Sequence, residues 1–520
     1  MNAETVHRRR WLILVVLALS VFLVVVDNTI VNVALPTLSR DLSASTTELQ
    51  WIVDAYSLVF AGLLLAAGGL GDRIGRKGTM QVGLVIFAVT SVMGAFSTDS
   101  GQLIASRALM GIGAALVFPA TLAILTNVFT DPTERAKAIG AWSAVSGMAV
   151  AFGPVTGGFL LEHFWWGSVF LVNVPIVAVA LVAGWFLVPT SRDPEAGRFD
   201  VMGTLLSISG VGLLVFTVIE GPRWGWNSAA TILGFIGAAA LLTLFVLWER
   251  TREHPLLDVR VFRIARFSAA AGSIAVAFFT LFGFIFIVTQ YFQFVRGYST
   301  LSAGLHTLPF AIFAGITAPN AARLALKFGP RRVVASGLLS MMIGFIIIGF
   351  CKADTAYFGP VIISMAFIAT GLGLVTSPST AAVMSSLPKE KAGAGAAVND
   401  TTREVGGTLG VAVVGSVFAS LYAPRIGEFL AGFPQIPAEA VRAAKAAMAA
   451  AIEVAARAPA EVQDLFRTSA TDAFMQGMQL GCFVCAGVAL CGSIAAFTFL
   501  PDLESDEAPH PGEWPELEST

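Results

Sequence analysis

Residues 11–36 read WLILVVLALSVFLVVVDNTIVNVALP, preceded by His7, Arg8, Arg9 and Arg10. The apolar core of a secretory signal spans only about 7–15 residues. This run is longer, so it predicts a retained membrane span whose basic flank keeps the N-terminus in the cytoplasm. Halfway along it stands Asp27. An acid at the bilayer centre costs about 2.5–3.5 kcal/mol on insertion scales, so it calls for a partner or a cavity.

The rest of the chain repeats the pattern of this first span. Of the 520 residues 56% are hydrophobic and only 13% charged, against about 25% charged in soluble domains. A helix crosses the hydrocarbon core with about 20 apolar residues. Fourteen such stretches are present, near 11–35, 49–70, 79–97, 102–129, 137–161, 168–189, 201–220, 228–248, 266–291, 304–325, 332–351, 357–385, 393–423 and 471–499. The fold class expected is therefore an all-α polytopic membrane protein with fourteen spans.

Charge placement supports the even number. With the N-terminus inside, the inside segments hold most of the 32 lysines and arginines, and the short outside loops hold only Arg40, Arg223, Arg296 and Lys352. Both termini are expected in the cytoplasm and 424–470 outside. Within that loop the Ala-rich stretch 437–458 is expected to form a helix outside the bilayer. The segment 500–520 is acidic and Pro-rich, and reads as a disordered tail.

Besides Asp27, the ionisable residues inside spans are Asp54 in span 2, Arg107 in span 4, and Asp400, Arg403 and Glu404 in span 13. Asp400 and Glu404 are four apart and share a helical face, and Arg403 is placed to pair with Asp400. A local structural ion pair and a proton or cation site are both compatible with that spacing. His306, alone in span 10, reads as a hydrogen-bonded helix residue.

The junction of spans 2 and 3 reads Gly68-Gly69-Leu70-Gly71-Asp72-Arg73-Ile74-Gly75-Arg76-Lys77. Gly75 suits a tight reversal. Asp72 is placed to meet a helix N-terminus and nearby arginines in a contact that can break and re-form. A weaker copy, Ala322 to Arg331, joins spans 10 and 11, with Gly329 kept and Leu326 in place of the acid. Two copies at matching places suggest six-span halves, 1–189 and 266–499, separated by two added spans and a linker in 190–265. In span 5, Gly147, Gly153, Pro154, Gly157 and Gly158 combine close backbone approach with a bend. Plain packing and a gate between halves remain open for them. Gly406 and Gly410 in span 13 read as packing.

On these residues the sequence resembles the major facilitator superfamily, specifically its fourteen-span drug/proton antiporter branch. The 68–77 junction is similar to the superfamily's signature loop. Asp27 to Pro36 resembles the branch's first-span motif, and Leu103, Arg107, Gly111 and Gly113 its span 4 motif. The span 5 glycines resemble the antiporter motif found in its exporters. The resemblance covers nearly the whole chain and implies proton or substrate-cation roles at the intramembrane acids.

No G-x-x-x-x-G-K-S/T loop is present, which argues against direct ATP drive. No catalytic residue, metal site or cofactor is expected. Cys482 and Cys485 form a C-x-x-C that reads as apolar packing. The expected partners are a small-molecule substrate, protons and the lipid bilayer. A net charge of −2 points to no nucleic acid, and no obligate protein partner is evident. The function expected is export of lipophilic, often cationic, compounds across the inner membrane. A dedicated exporter of a natural product or lipid is the nearest alternative, and a membrane scaffold or sensor a more distant one.

Overall fold

The computed structural model describes residues 3–192, 200–252, 255, 257–386 and 392–501. The expected acidic tail, from residue 502 onward, lies outside the described residues. Among the described residues all regular structure is helical. Twelve helices are long and apolar enough to cross a membrane, and a thirteenth span is bent by 53° between Leu64 and Ala66. The 32-residue helix Pro132–His163 fills the fourteenth place.

The first group comprises α1 (Ala3–Asp41), α2 (Thr46–Ile74), α3 (Arg76–Ala95), α4 (Ser100–Val128), α5 (Pro132–His163), α6 (Ser168–Leu171) and α7 (Asn173–Leu187). A hairpin of α8 (Val201–Trp224) and α9 (Ala229–Arg250) follows. The second group is α10 (Ala265–Gln290), α11 (Thr300–His306), α12 (Leu308–Phe328), α13 (Pro330–Gly349), α14 (Ile362–Ser385) and α15 (Ala392–Ala431). It closes with α16 (Ala438–Ala446), α17 (Met448–Arg457) and α18 (Ala460–Phe499). Within the groups α1 packs on α5, α4 on α2 and α3, α10 on α15, and α13 on α14 and α18. The hairpin leans through α8 on α2 and α15.

Local chemistry explains where the structure departs from the sequence expectation. Span 10 is two helices, because Pro309 supplies no backbone donor and starts α12 in its first turn. Span 6 likewise begins as the short α6 before α7. The stretch 437–458 is not one helix but α16 and α17, divided at Ala447, which is extended at φ −154°, ψ 144°. Two hydroxyls hold that break: Tyr422 donates to Ala444 O at 3.2 Å and Thr46 to Ala446 O at 2.9 Å.

At the α2–α3 junction Gly75 has φ +122°, and at α12–α13 Gly329 has φ +83°. Both lie where a Cβ is strained, so glycine is required at each.

The groups are fastened at one end, the end of the 42–45 turn. There Gln50 on α2 donates to Ala412 O on α15 at 3.0 Å, and Gln293 beyond α10 donates to Val33 O on α1 at 2.9 Å. Glu162 on α5 accepts from the Ser299 hydroxyl at 3.0 Å and from Leu301 N at 3.2 Å, bonding the first turn of α11. Among the described residues, the side-chain hydrogen bonds joining the two groups all lie at this end. Among the described residues the Gly75 end has none.

Candidate functional site: a buried charge pair beside the seam of two helical groups

Asp27 and Arg107 are brought together. Both are 0% exposed and form an ion pair between α1 and α4. Arg107 also donates through Nε to Ile52 O at 3.0 Å, and its guanidinium lies 4.3 Å from the centre of the Tyr56 ring. The second oxygen of Asp27 accepts from Asn173 Nδ2 at 2.8 Å. Asn173 is the first residue of α7, so the break after α6 delivers its amide to the acid. Tyr56 in turn donates to Val24 O at 3.1 Å. Four helices thus converge on this ion pair. Yet among the described residues Arg107 Nη2 is buried without a partner, so both N–H donors of that nitrogen are unspent.

Asp54, two residues before Tyr56, is not part of this pair. It is 0% exposed and both its carboxylate oxygens are buried without a partner. A buried carboxylate with no partner costs several kcal/mol, and a proton or a cation offsets that cost.

On the second group the expected pairing of Asp400 with Arg403 is present but loose, at 3.8 Å with Arg403 35% exposed. Asn399 Nδ2 donates to Asp400 at 3.2 Å, and the Arg403 guanidinium lies 4.9 Å from the Phe278 ring centre. Glu404 makes no ion pair among the described residues. α15, which carries Glu404, packs against α2, which carries Tyr56.

The junction acid Asp72 pairs with Arg76 Nε at 2.6 Å, while Arg73 points to the exterior. Gly68 packs beside Pro119 of α4. The N–H of Arg76 donates to Ser191 O at 3.0 Å, tying α3 to the end of α7. At the same end Arg10 bonds Glu134 through two nitrogens at 2.8 Å. That bond holds the Glu134 carboxyl below the usual range.

The α5 glycines divide by partner. A Cβ on Gly153 would stand 2.0 Å from Thr29 Oγ1, and one on Gly157 2.7 Å from Ile30. Both therefore press α5 onto α1 within one group, immediately after Asp27. Gly158 and the Pro154 carbonyl face α11 of the other group, where a Cβ on Gly304 would lie 2.3 Å from Pro154 O. The surroundings of Gly147 lie outside the described residues. Gly406 and Gly410 pack onto α10, with a Cβ on either coming within 2.5 Å of a backbone oxygen. His306 Nδ1 lies 2.6 Å from Ser302 O.

Sequence reasoning missed Tyr56, Asn173, Gln50 and Glu162. Gln50 and Asn173 carried a signal, an amide within an apolar stretch.

The sequence model described as Major Facilitator Superfamily matches residues 17–200 and 197–411. The multidrug efflux pump LfrA of Mycolicibacterium smegmatis is 37% identical over 90% of this chain and 92% of its own. The tetracenomycin C resistance and export protein of Streptomyces glaucescens is 35% identical over 100% and 96%. The methyl viologen resistance protein SmvA of Salmonella typhimurium is 35% identical over 90% and 93%. Among solved structures, a bacterial homologue of the human lysosomal transporter Spinster superposes with a TM-score of 0.64 at 18% identity, covering 94% of this chain and 98% of that one. That likeness shows the fold. With a family match over most of the chain and relatives above 30% identity along nearly its full length, this multi-pass membrane protein belongs to the major facilitator superfamily and is a transporter related to multidrug efflux pumps.

Proposed function

We propose that the chain is a proton-coupled antiporter that exports lipophilic, often cationic, drug-like compounds from the cytoplasm. The observation that carries this is the buried Asp27–Arg107 pair with Asn173 and Tyr56 around it. A cation and a proton would compete for one carboxylate there, and competition for a shared site is what antiport requires. Asp54, buried and unpartnered, supports a second such position. The names of the relatives above, a multidrug efflux pump and a methyl viologen resistance protein, agree in substrate class. A scaffold or sensor gains nothing from these insertion costs.

The driving force suffices. One charge moving down about 100 mV releases roughly 2.3 kcal/mol, and tenfold accumulation costs about 1.4 kcal/mol. In this proposal 1–189 and 266–499 are the two halves, both termini are cytoplasmic, and the fastened end faces outward. The Gly75 end then faces the cytoplasm. The signature junction and the α5 glycines serve as gate elements at opposite ends. A dedicated natural-product exporter is the second reading, favoured by the full-length likeness to the tetracenomycin C export protein.

The test is substrate-induced proton release from purified protein, followed with a pH-sensitive dye. Asp27→Asn is expected to stay folded and lose release, and Glu404→Gln to show a weaker or substrate-dependent defect. Normal release by Asp27→Asn with none from Glu404→Gln would reverse the assignment.

A further inference from the structure

Away from the charge pair, a cleft of about 460 Å³ runs between α3 and α7 on the outer surface of the first group. α3 lines it with Gln81, Val82 and Val85, and α7 with Val182, Trp185 and Phe186. The five apolar members are 48–69% exposed. Exposed apolar side chains on the outside of a membrane-spanning helix face lipid tails.

Gln81 is the polar member of the lining, and Lys77 lies one turn beyond it, against Trp185. Lys77, Gln81 and Val85 recur every fourth residue and so share one face of α3, each step rising about 6 Å. At the Gly75 end Lys77 Nζ donates to Trp185 O at 2.7 Å and lies 5.7 Å from the Trp185 ring centre. An ammonium has three donors, so further ones are unspent. One turn deeper, the Gln81 amide nitrogen is enclosed yet bonds to nothing among the described residues. Beyond it the lining is hydrocarbon. Arg73 and Arg192 are exposed at the same end, the latter beside Ser191, whose carbonyl accepts from Arg76 N at 3.0 Å. Asp72, the acid of this junction, is already paired with Arg76.

We propose that this cleft binds one anionic phospholipid, with its phosphate at Lys77, an ester carbonyl at the Gln81 amide and the upper part of an acyl chain along Val85 and Val182. The order cation, amide donor, hydrocarbon matches the order phosphate, ester, chain in such a lipid. The match of charge at one end selects an anionic headgroup over a zwitterionic one. The site is independent of the transported substrate. It touches the signature junction, however, because Lys77 follows the Asp72–Arg76 pair directly.

The full-length protein in mild detergent is titrated with phosphatidylglycerol and with phosphatidylcholine of identical chains, and bound lipid is counted by native mass spectrometry. One phosphatidylglycerol is expected to be retained about fivefold more strongly than phosphatidylcholine, the worth of one basic residue at a lipid headgroup. Lys77→Gln should bring the two lipids to near parity, and Val85→Trp should displace both. A preference that survives Lys77→Gln, or equal binding of the two lipids by the wild-type protein, overturns the proposal. A wild-type dimer that Val85→Trp converts to monomer would assign the cleft to a second copy and overturn it as well. Should Val85→Trp fail to fold, the Lys77→Gln comparison still decides.

Discussion

The α2–α3 and α12–α13 junctions share a backbone and differ in charge. Each ends its first helix on a glycine of positive φ whose N–H donates to the carbonyl four residues back, Gly75 to Gly71 and Gly329 to Ala325, both at 3.0 Å. Two residues on, each places a cation over an aromatic ring of its group's last spanning helix. Lys77 lies 5.7 Å from the Trp185 ring and Arg331 4.4 Å from Phe497. But where Asp72 pairs with Arg76, the second junction has Leu326, 79% exposed, and Pro330. The deeper charges divide the same way. Asp27 and Arg107 are sealed, whereas Arg403 and Asp400 are loosely paired and partly open. The two junctions share what the turn needs, and the first also carries an ion pair. The first group is thus the one built around fixed charge contacts.

The largest test of this contrast compares two arginines. Removing one partner of a buried pair costs about 3–5 kcal/mol, so Arg107→Met should severely lower the thermal unfolding midpoint of purified protein. Arg403→Met should cost under about 1 kcal/mol, as a partly exposed pair does. Equal losses would break the comparison. Next come the glycines. Gly75→Ala and Gly329→Ala should each cost about 1–2 kcal/mol by forcing a side chain into left-handed backbone, and a clear inequality would mean that the turns are not equivalent. Third, Asp72→Asn should slow transport roughly tenfold, the worth of about 1.4 kcal/mol, with expression near normal. Leu326→Asp should change it less than twofold, because Pro330 offers no cation, and vesicle uptake assays separate the two.

The smallest effect concerns Glu134. Its pKa is held down in the fold by Arg10, so its contribution is present above its ordinary value and fades as pH falls through the lowered one. Wild type and Glu134→Gln should differ by no more than about a degree in midpoint at neutral pH, and by nothing in strong acid.

Much of this was legible because the bilayer is a demanding solvent. Hydrocarbon requires long apolar runs, so the spans could be counted, and it penalises charge, so Asp27, Asp54 and Arg107 stood out. What stayed hidden was cheap in sequence terms. Asn173 and Gln50 are single amides with modest insertion cost, and nothing local reveals that one meets Asp27 and the other stitches α2 to α15. Tyr56 resembles any buried aromatic until Arg107 is seen against its face. The break at Ala447 sits in an Ala-rich stretch of high helix propensity, and tertiary hydrogen bonds override it. The division of the α5 glycines between α1 and α11 depends on which helix lies on which side, which spacing alone does not state.

The one-ended fastening has a mechanical consequence. In the proposed exporter, Gln50, Gln293 and Glu162 would act as a pivot, and a helix such as the 29-residue α4 would act as a lever arm from it. At 1.5 Å per residue an arm of about 30 residues is about 45 Å long, so a tilt of roughly 10° swings its free tip by about 8 Å. In the proposed exporter the pivot contacts would move far less than the free tip, so a short stroke at one rim would give a wide opening at the other.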